Sequence, residues 1–209
     1  LGSAGLAFLY SGDMIAFIVT IICSLIGYFG RTLSVRFGCN EYVGIALGGF
    51  AAMVSAYGFY SHIEQASLVY VLVCCTLFMI PGVPLINAVI DTINNHILSG
   101  ITRAIRTILI VGSMTLGMAM ALYFSPMPAF SFVDIKPHVL TIEQIIGSFM
   151  AAASFAVLFN APVRLLLSIG IGGVLCVFIR NLLAVELGFS IAGATFVGAA
   201  VMSVIYVKV

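Results

Sequence analysis

Apolar residues run along this chain in near-continuous stretches of about twenty, parted by short polar joints, and they lack the period-two alternation of strands. A barrel is therefore excluded, and the pattern predicts membrane-crossing helices. They fall at 1–11, 13–33, 41–60, 67–91 (interrupted at Pro81), 101–124, 142–160, 162–180 and 185–207. The expected fold is all-α: a polytopic transmembrane helical bundle of about eight helices, the first incomplete. One joint is longer than the rest. Residues 125–141 carry prolines that forbid helix, so the chain divides into a first membrane part, 1–124, a linker, 125–141, and a second part, 142–209.

Composition sharpens this picture. The chain is 63% hydrophobic and 7% charged, and its mean hydropathy is +1.26. No soluble domain of this size has such a balance. A net charge of +1 without a basic run gives no case for nucleic acid. Cys23, Cys39, Cys74, Cys75 and Cys176 lie mostly in apolar segments without metal-ligand spacing, so no metal or cofactor is expected of them. Both ends fall in or beside apolar sequence, which suggests a piece of a longer protein, with a cytoplasmic domain or further helices outside it.

Lysine and arginine set the expected orientation. With residues 34–40 in the cytoplasm, that side receives Arg31, Arg36, Arg103, Arg106, Arg164 and Lys208, and the opposite side Lys136 and Arg180, with the linker outside. The two parts also look related. At one constant offset, without gaps, Phe29, Arg31, Leu33, Gly44 and Met53 fall on Phe178, Arg180, Leu182, Gly193 and Met202. Five helices precede the second copy, an odd number, so the copies would be inverted five-helix repeats, a signature of secondary transporters. Arg180 then breaks the charge rule because it is the inverted counterpart of Arg31.

The segment Pro81-Gly82-Val83-Pro84 interrupts an apolar helix. Two prolines and a glycine remove helix hydrogen bonds, and in lipid the freed groups need protein or cavity water. A helix restarting near Val83 would aim its amides and dipole end into the membrane, where they suit a carboxylate. Asn87 and Asp91 follow at i, i+4 spacing on one face. Asn87 offers a donor and an acceptor to a small polar headgroup, and Asp91 an intramembrane carboxylate able to carry a proton. A kink with a capped end, and an Asp91 that simply reaches the interface, are the structural alternatives.

Beyond Asp91, Ser99-Gly100 is read as the turn that returns the chain to the membrane. Arg103 and Arg106 are read as headgroup anchors, with gating contacts as the sharper option. Glu41, Glu143 and Glu186 are read as caps at helix starts. His62, Glu64 and His138 scatter over outer loops, and Asn160 with Arg164 flanks the turn at Pro162. Gly44 and Gly48 form a GxxxG face for close helix packing, within one chain or between the chains of a homo-oligomer. No GxSxG, HExxH or paired-carboxylate arrangement is present, so an enzyme is not expected.

The run Pro81-Gly82-x-x-Leu85-x-Asn87-Ala88-x-x-Asp91, followed by Ser99-Gly100 and a long apolar helix, resembles the threonine/serine exporter family of bacteria. Leu158-Phe159-Asn160-Ala161-Pro162, then Arg180 and Gly193-Ala194-Thr195-Phe196, is similar to that family's smaller membrane domain. The resemblance implies two five-helix domains, often behind a soluble cytoplasmic domain, in the bacterial inner membrane. It further implies export of small amino acids driven by the proton-motive force. Some members are split into two subunits and are associated with succinate export; this chain resembles the fused form.

The expectation is thus a secondary active transporter of threonine or serine, moving around the break. Pro81, Gly82, Val83, Pro84 and Asn87 would bind substrate, Asp91 would carry the proton, and Ser99, Gly100, Arg103 and Arg106 would form turn and gate. The alternatives are a dicarboxylate exporter, favoured by more cation near the cavity, and a non-transporting membrane anchor or assembly subunit. The partners are then a small amino acid or dicarboxylate, protons and the lipid bilayer.

Overall fold

The computed structural model describes residues 1–11, 13–59, 65–125 and 141–207. Among them run nine α-helices: α1 (Gly2–Ser11), α2 (Met14–Arg36), α3 (Glu41–Gly58), α4 (Gln65–Cys74), α5 (Gly82–Ile93), α6 (Ile97–Phe124), α7 (Ile142–Leu158), α8 (Leu166–Glu186) and α9 (Ile191–Val207). Short 3₁₀ turns at Leu77–Met79 and Val163–Leu165 precede α5 and α8. The helix expected over 67–91 is interrupted as expected, but the break is wider than Pro81: α4 ends at Cys74 and α5 starts at Gly82. The linker (bar its end residues), His62, Glu64, Lys136, His138 and Lys208 lie outside the described residues.

Met14–Arg36, Ile97–Phe124 and Val163–Glu186 are long and apolar enough to cross a membrane. A fourth span follows if Ser67–Met79 and Gly82–Ile93, bent by 54° at the break, are taken together. Large apolar side chains lie exposed on these helices, among them Leu85, Ile86, Val89 and Ile93 of α5. In water such a surface would drive aggregation, whereas against lipid it is the outer face of a multi-pass membrane protein.

Two compact units form. One comprises Ile18–Phe130. Its α2 and α3 cross at Gly27 and Gly48, where a Cβ on Gly48 would stand 2.9 Å from the Gly27 carbonyl oxygen. Its α3 and α6 cross at Gly117, where a Cβ would overlap the backbone of Ala46. The GxxxG face is therefore used within the chain: Gly44 and Gly48 both meet α2. Ile45, Met79, Ile110 and Met114 form a buried cluster beside these crossings.

The other unit comprises Leu1–Phe17 and Ser131–Val209. Here α1 lies on α7, with Gly5 and Gly147 so close that a Cβ on either would meet the other's carbonyl oxygen at 3.0 or 2.9 Å. Helix α8 packs on α7 at Gly173, and α9 on α8 at Gly198, whose Cβ would stand 3.1 Å from the Cys176 carbonyl oxygen.

Two expected boundaries shift. Glu186 does not start a helix; it ends α8, because no breaker precedes Gly188. Gly188, at φ +63°, closes the helix while the Phe189 amide reaches back to Leu183. Ser99-Gly100 is not the turn either. Asn94, Asn95 and His96 make it, with Asn95 at φ +62° and the His96 amide donating to the Asp91 carbonyl at 2.8 Å. Ser99 and Gly100 lie in the first turn of α6, where a Cβ on Gly100 would strike Thr92 and the Ala88 carbonyl.

Candidate functional site

The break is built from backbone chemistry. Thr76 to Met79 tighten into a 3₁₀ turn, Ile80 is extended, and Pro81 occupies the cap position of α5. The Gly82 amide donates to the Ile80 carbonyl at 2.9 Å, and the Leu85 amide to the Pro81 carbonyl at 3.2 Å. Pro84 sits in the first turn, where a missing N–H is tolerated. Of the three N–H groups among residues 82–85, Val83's alone is left over. The restarted helix thus begins at Gly82, one residue early, and offers one amide rather than the expected set.

Positive charge comes instead from side chains. Beside the break lies a cavity of about 400 Å³ in the Ile18–Phe130 unit. Pro81, Val83, Pro84 and Asn87 line one wall, and Ile45, Met79 and Ile110 form an apolar floor. Arg31 of α2, Glu41 of α3, and Arg103 and Arg106 of α6 complete the lining.

The charges are arranged in two groups. Glu41 bridges two arginines, Oε1 lying 3.5 Å from Arg31 Nη2 and Oε2 3.2 Å from Arg106 Nη2. Asp91, one turn beyond Asn87, holds Arg103: its Oδ2 lies 3.1 Å from Nη1 and accepts a hydrogen bond from Ser99 Oγ at 2.8 Å. The Asp91 side chain is 20% exposed, the arginine 48%. Such half-exposed pairs contribute about 0–1 kcal/mol each, weak enough to be exchanged for a ligand.

Most of the residues expected from sequence therefore meet. Pro81, Val83, Pro84, Asn87, Arg103 and Arg106 line one cavity, while Gly82 starts the helix beneath it. Asp91 and Ser99 stand behind Arg103, and Gly100 lets α5 and α6 approach. Sequence reading missed Arg31 and Glu41 as site residues, taking Arg31 for an orientation charge with a repeat counterpart in Arg180, and Glu41 for a cap. The available signal was a charge placed inside an apolar helix, five residues before its end, with an opposite charge at the start of the next.

A second polar group lies in the other unit. Arg180 donates to Asn181 Oδ1 from Nε and Nη2 at 3.2 and 3.1 Å, and sits 5.8 Å over the Tyr10 ring. Asn181, 3% exposed, donates to Gln144 Oε1 at 2.9 Å. Among the described residues no cluster of histidine, cysteine and carboxylate side chains is disposed to hold a metal.

No curated protein and no solved structure matches the chain at a significant level. Two family models do match: one described as a threonine/serine exporter over residues 1–125, and a second threonine/serine exporter model over residues 144–208. These matches run across both units and take in the break, the cavity and the second polar group, and the chain accordingly belongs to the threonine/serine exporter family, a family of membrane transporters rather than of enzymes.

Proposed function

We propose that this protein exports threonine and serine across the bacterial inner membrane by proton-coupled alternating access around the break at Pro81–Pro84. The observation that carries the reading is the cavity itself, in which a broken helix, an amide side chain and arginines converge. In this mechanism the substrate carboxylate takes guanidinium groups of Arg31 and Arg106 and the Val83 amide. Asn87 pairs with the side-chain hydroxyl. Protonation of Asp91 releases Arg103, so the cavity's charge changes with the proton bound. The two parts of the chain act as inverted five-helix repeats, and the packing lends support: Gly27 of α2 meets α3 at Gly48, and Cys176, its counterpart on α8, meets α9 at Gly198.

The presence of Arg31 as a third cation favours a second reading, in which the substrate is a dicarboxylate. A formed cavity at the break speaks against a purely anchoring role. The test is efflux of labelled threonine and of succinate from proteoliposomes holding the full-length protein, under an imposed pH gradient, for wild type and Asp91→Asn. The reading expects gradient-driven threonine efflux that falls at least about tenfold in the variant. Gradient-independent flux, or undiminished coupling in Asp91→Asn, would remove the proton role, and succinate alone would establish the second reading.

A further inference from the structure

We infer that Glu41 is the residue that makes this cavity select an amino-acid zwitterion over a dicarboxylate, an inference that rests on the amino-acid reading above. Arg31, Arg103 and Arg106 bring positive charge to the cavity; Asp91 is committed to Arg103, and Glu41 spans the other two. The group as a whole keeps one positive charge in excess. A bound zwitterion leaves that charge unchanged, whereas a dicarboxylate would reverse its sign.

A substrate carboxylate that takes Arg31 and Arg106 must displace Glu41 from at least one of them. The freed carboxylate oxygen then needs a donor, and the α-ammonium of an amino acid, two bonds from its carboxylate carbon, arrives at that place. Glu41 is the one carboxylate among the described residues that line the cavity. Its bonds are long, 3.5 and 3.2 Å, and it is 41% exposed, so it is free to exchange partners. A dicarboxylate offers the freed Glu41 no donor and sets a like charge beside it, so Glu41 both rewards the ammonium and rejects the second anion. Ile45, on the same face one turn along α3, closes that side with apolar surface and supplies no alternative acceptor.

The experiment uses the full-length protein in proteoliposomes and measures how threonine, 3-hydroxybutyrate (threonine without its ammonium) and succinate compete with labelled threonine in counterflow. Wild type should prefer threonine to either competitor by at least about tenfold. In Glu41→Gln the preference over 3-hydroxybutyrate should shrink to within about twofold and succinate should become the stronger competitor, while Glu41→Asp keeps the wild-type order. Wild-type protein that takes 3-hydroxybutyrate as readily as threonine overturns the assignment without any variant. Wild-type threonine flux with an unchanged ratio in Glu41→Gln overturns the role of Glu41 alone. Absence of threonine flux through the wild type overturns the amino-acid reading with it.

Discussion

At the scale of residues, the cavity joins positions that sequence distance separates. Arg31 and Glu41 are ten residues apart across the α2–α3 turn, and Arg106 is 65 residues beyond Glu41. Each alone reads as an orientation charge, an anchor at headgroups or a cap, since a lone charge near the end of an apolar helix has those ordinary uses. Asn87 was legible because the proline-glycine break beside it demands polar company. Arg31 was not, because its partner is set by how two helices cross. Removing a charge-assisted contact to a bound carboxylate costs about 1.5–3 kcal/mol, or roughly tenfold or more in apparent affinity. Arg31→Gln is therefore expected to raise the half-saturation concentration for threonine about tenfold. Arg36→Gln, exposed at the end of α2 and outside the cavity lining, is expected to leave it unchanged; concentration-dependent counterflow measures both.

At the scale of elements, apolar run length found the helices, and proline with glycine found the break. What the pattern misplaced were helix ends set by backbone conformation. Asn95 takes the left-handed turn that Ser99-Gly100 looked suited to make, and Gly188 lets α8 run past Arg180. Helix crossings follow the same logic of bare backbone. Gly117→Ala would drive a methyl into the Ala46 backbone, so it should lower the melting temperature in detergent, with a cost of about 1–3 kcal/mol. Gly112→Ala, five residues earlier on the same helix, meets nothing within 4 Å and should be neutral or stabilising by up to about 1 kcal/mol. Equal melting of the two variants would contradict the α3–α6 crossing.

At the scale of the molecule, the chain folds as two compact units, each held by small-residue crossings, as expected where lipid gives helices no hydrophobic reason to associate. That α1 packs with α7 was not legible, because its apolar sequence has no feature naming a partner; the Gly5–Gly147 approach supplies it. The expected charge bias is open to a direct check. Cys39, exposed in the α2–α3 connection, should react with a membrane-impermeant maleimide from the cytoplasmic side only. Labelling from outside would invert the orientation.

Ligand protection of Asn87 tests substrate binding in the cavity at the break. In full-length protein with its native cysteines replaced, Asn87→Cys would be alkylated by a small maleimide in the presence and absence of saturating threonine. Threonine is expected to slow alkylation at this position severalfold, while a cysteine at the exposed Ile86 is unaffected. Equal alkylation with and without threonine, in a variant that still exports it, would place the binding site elsewhere.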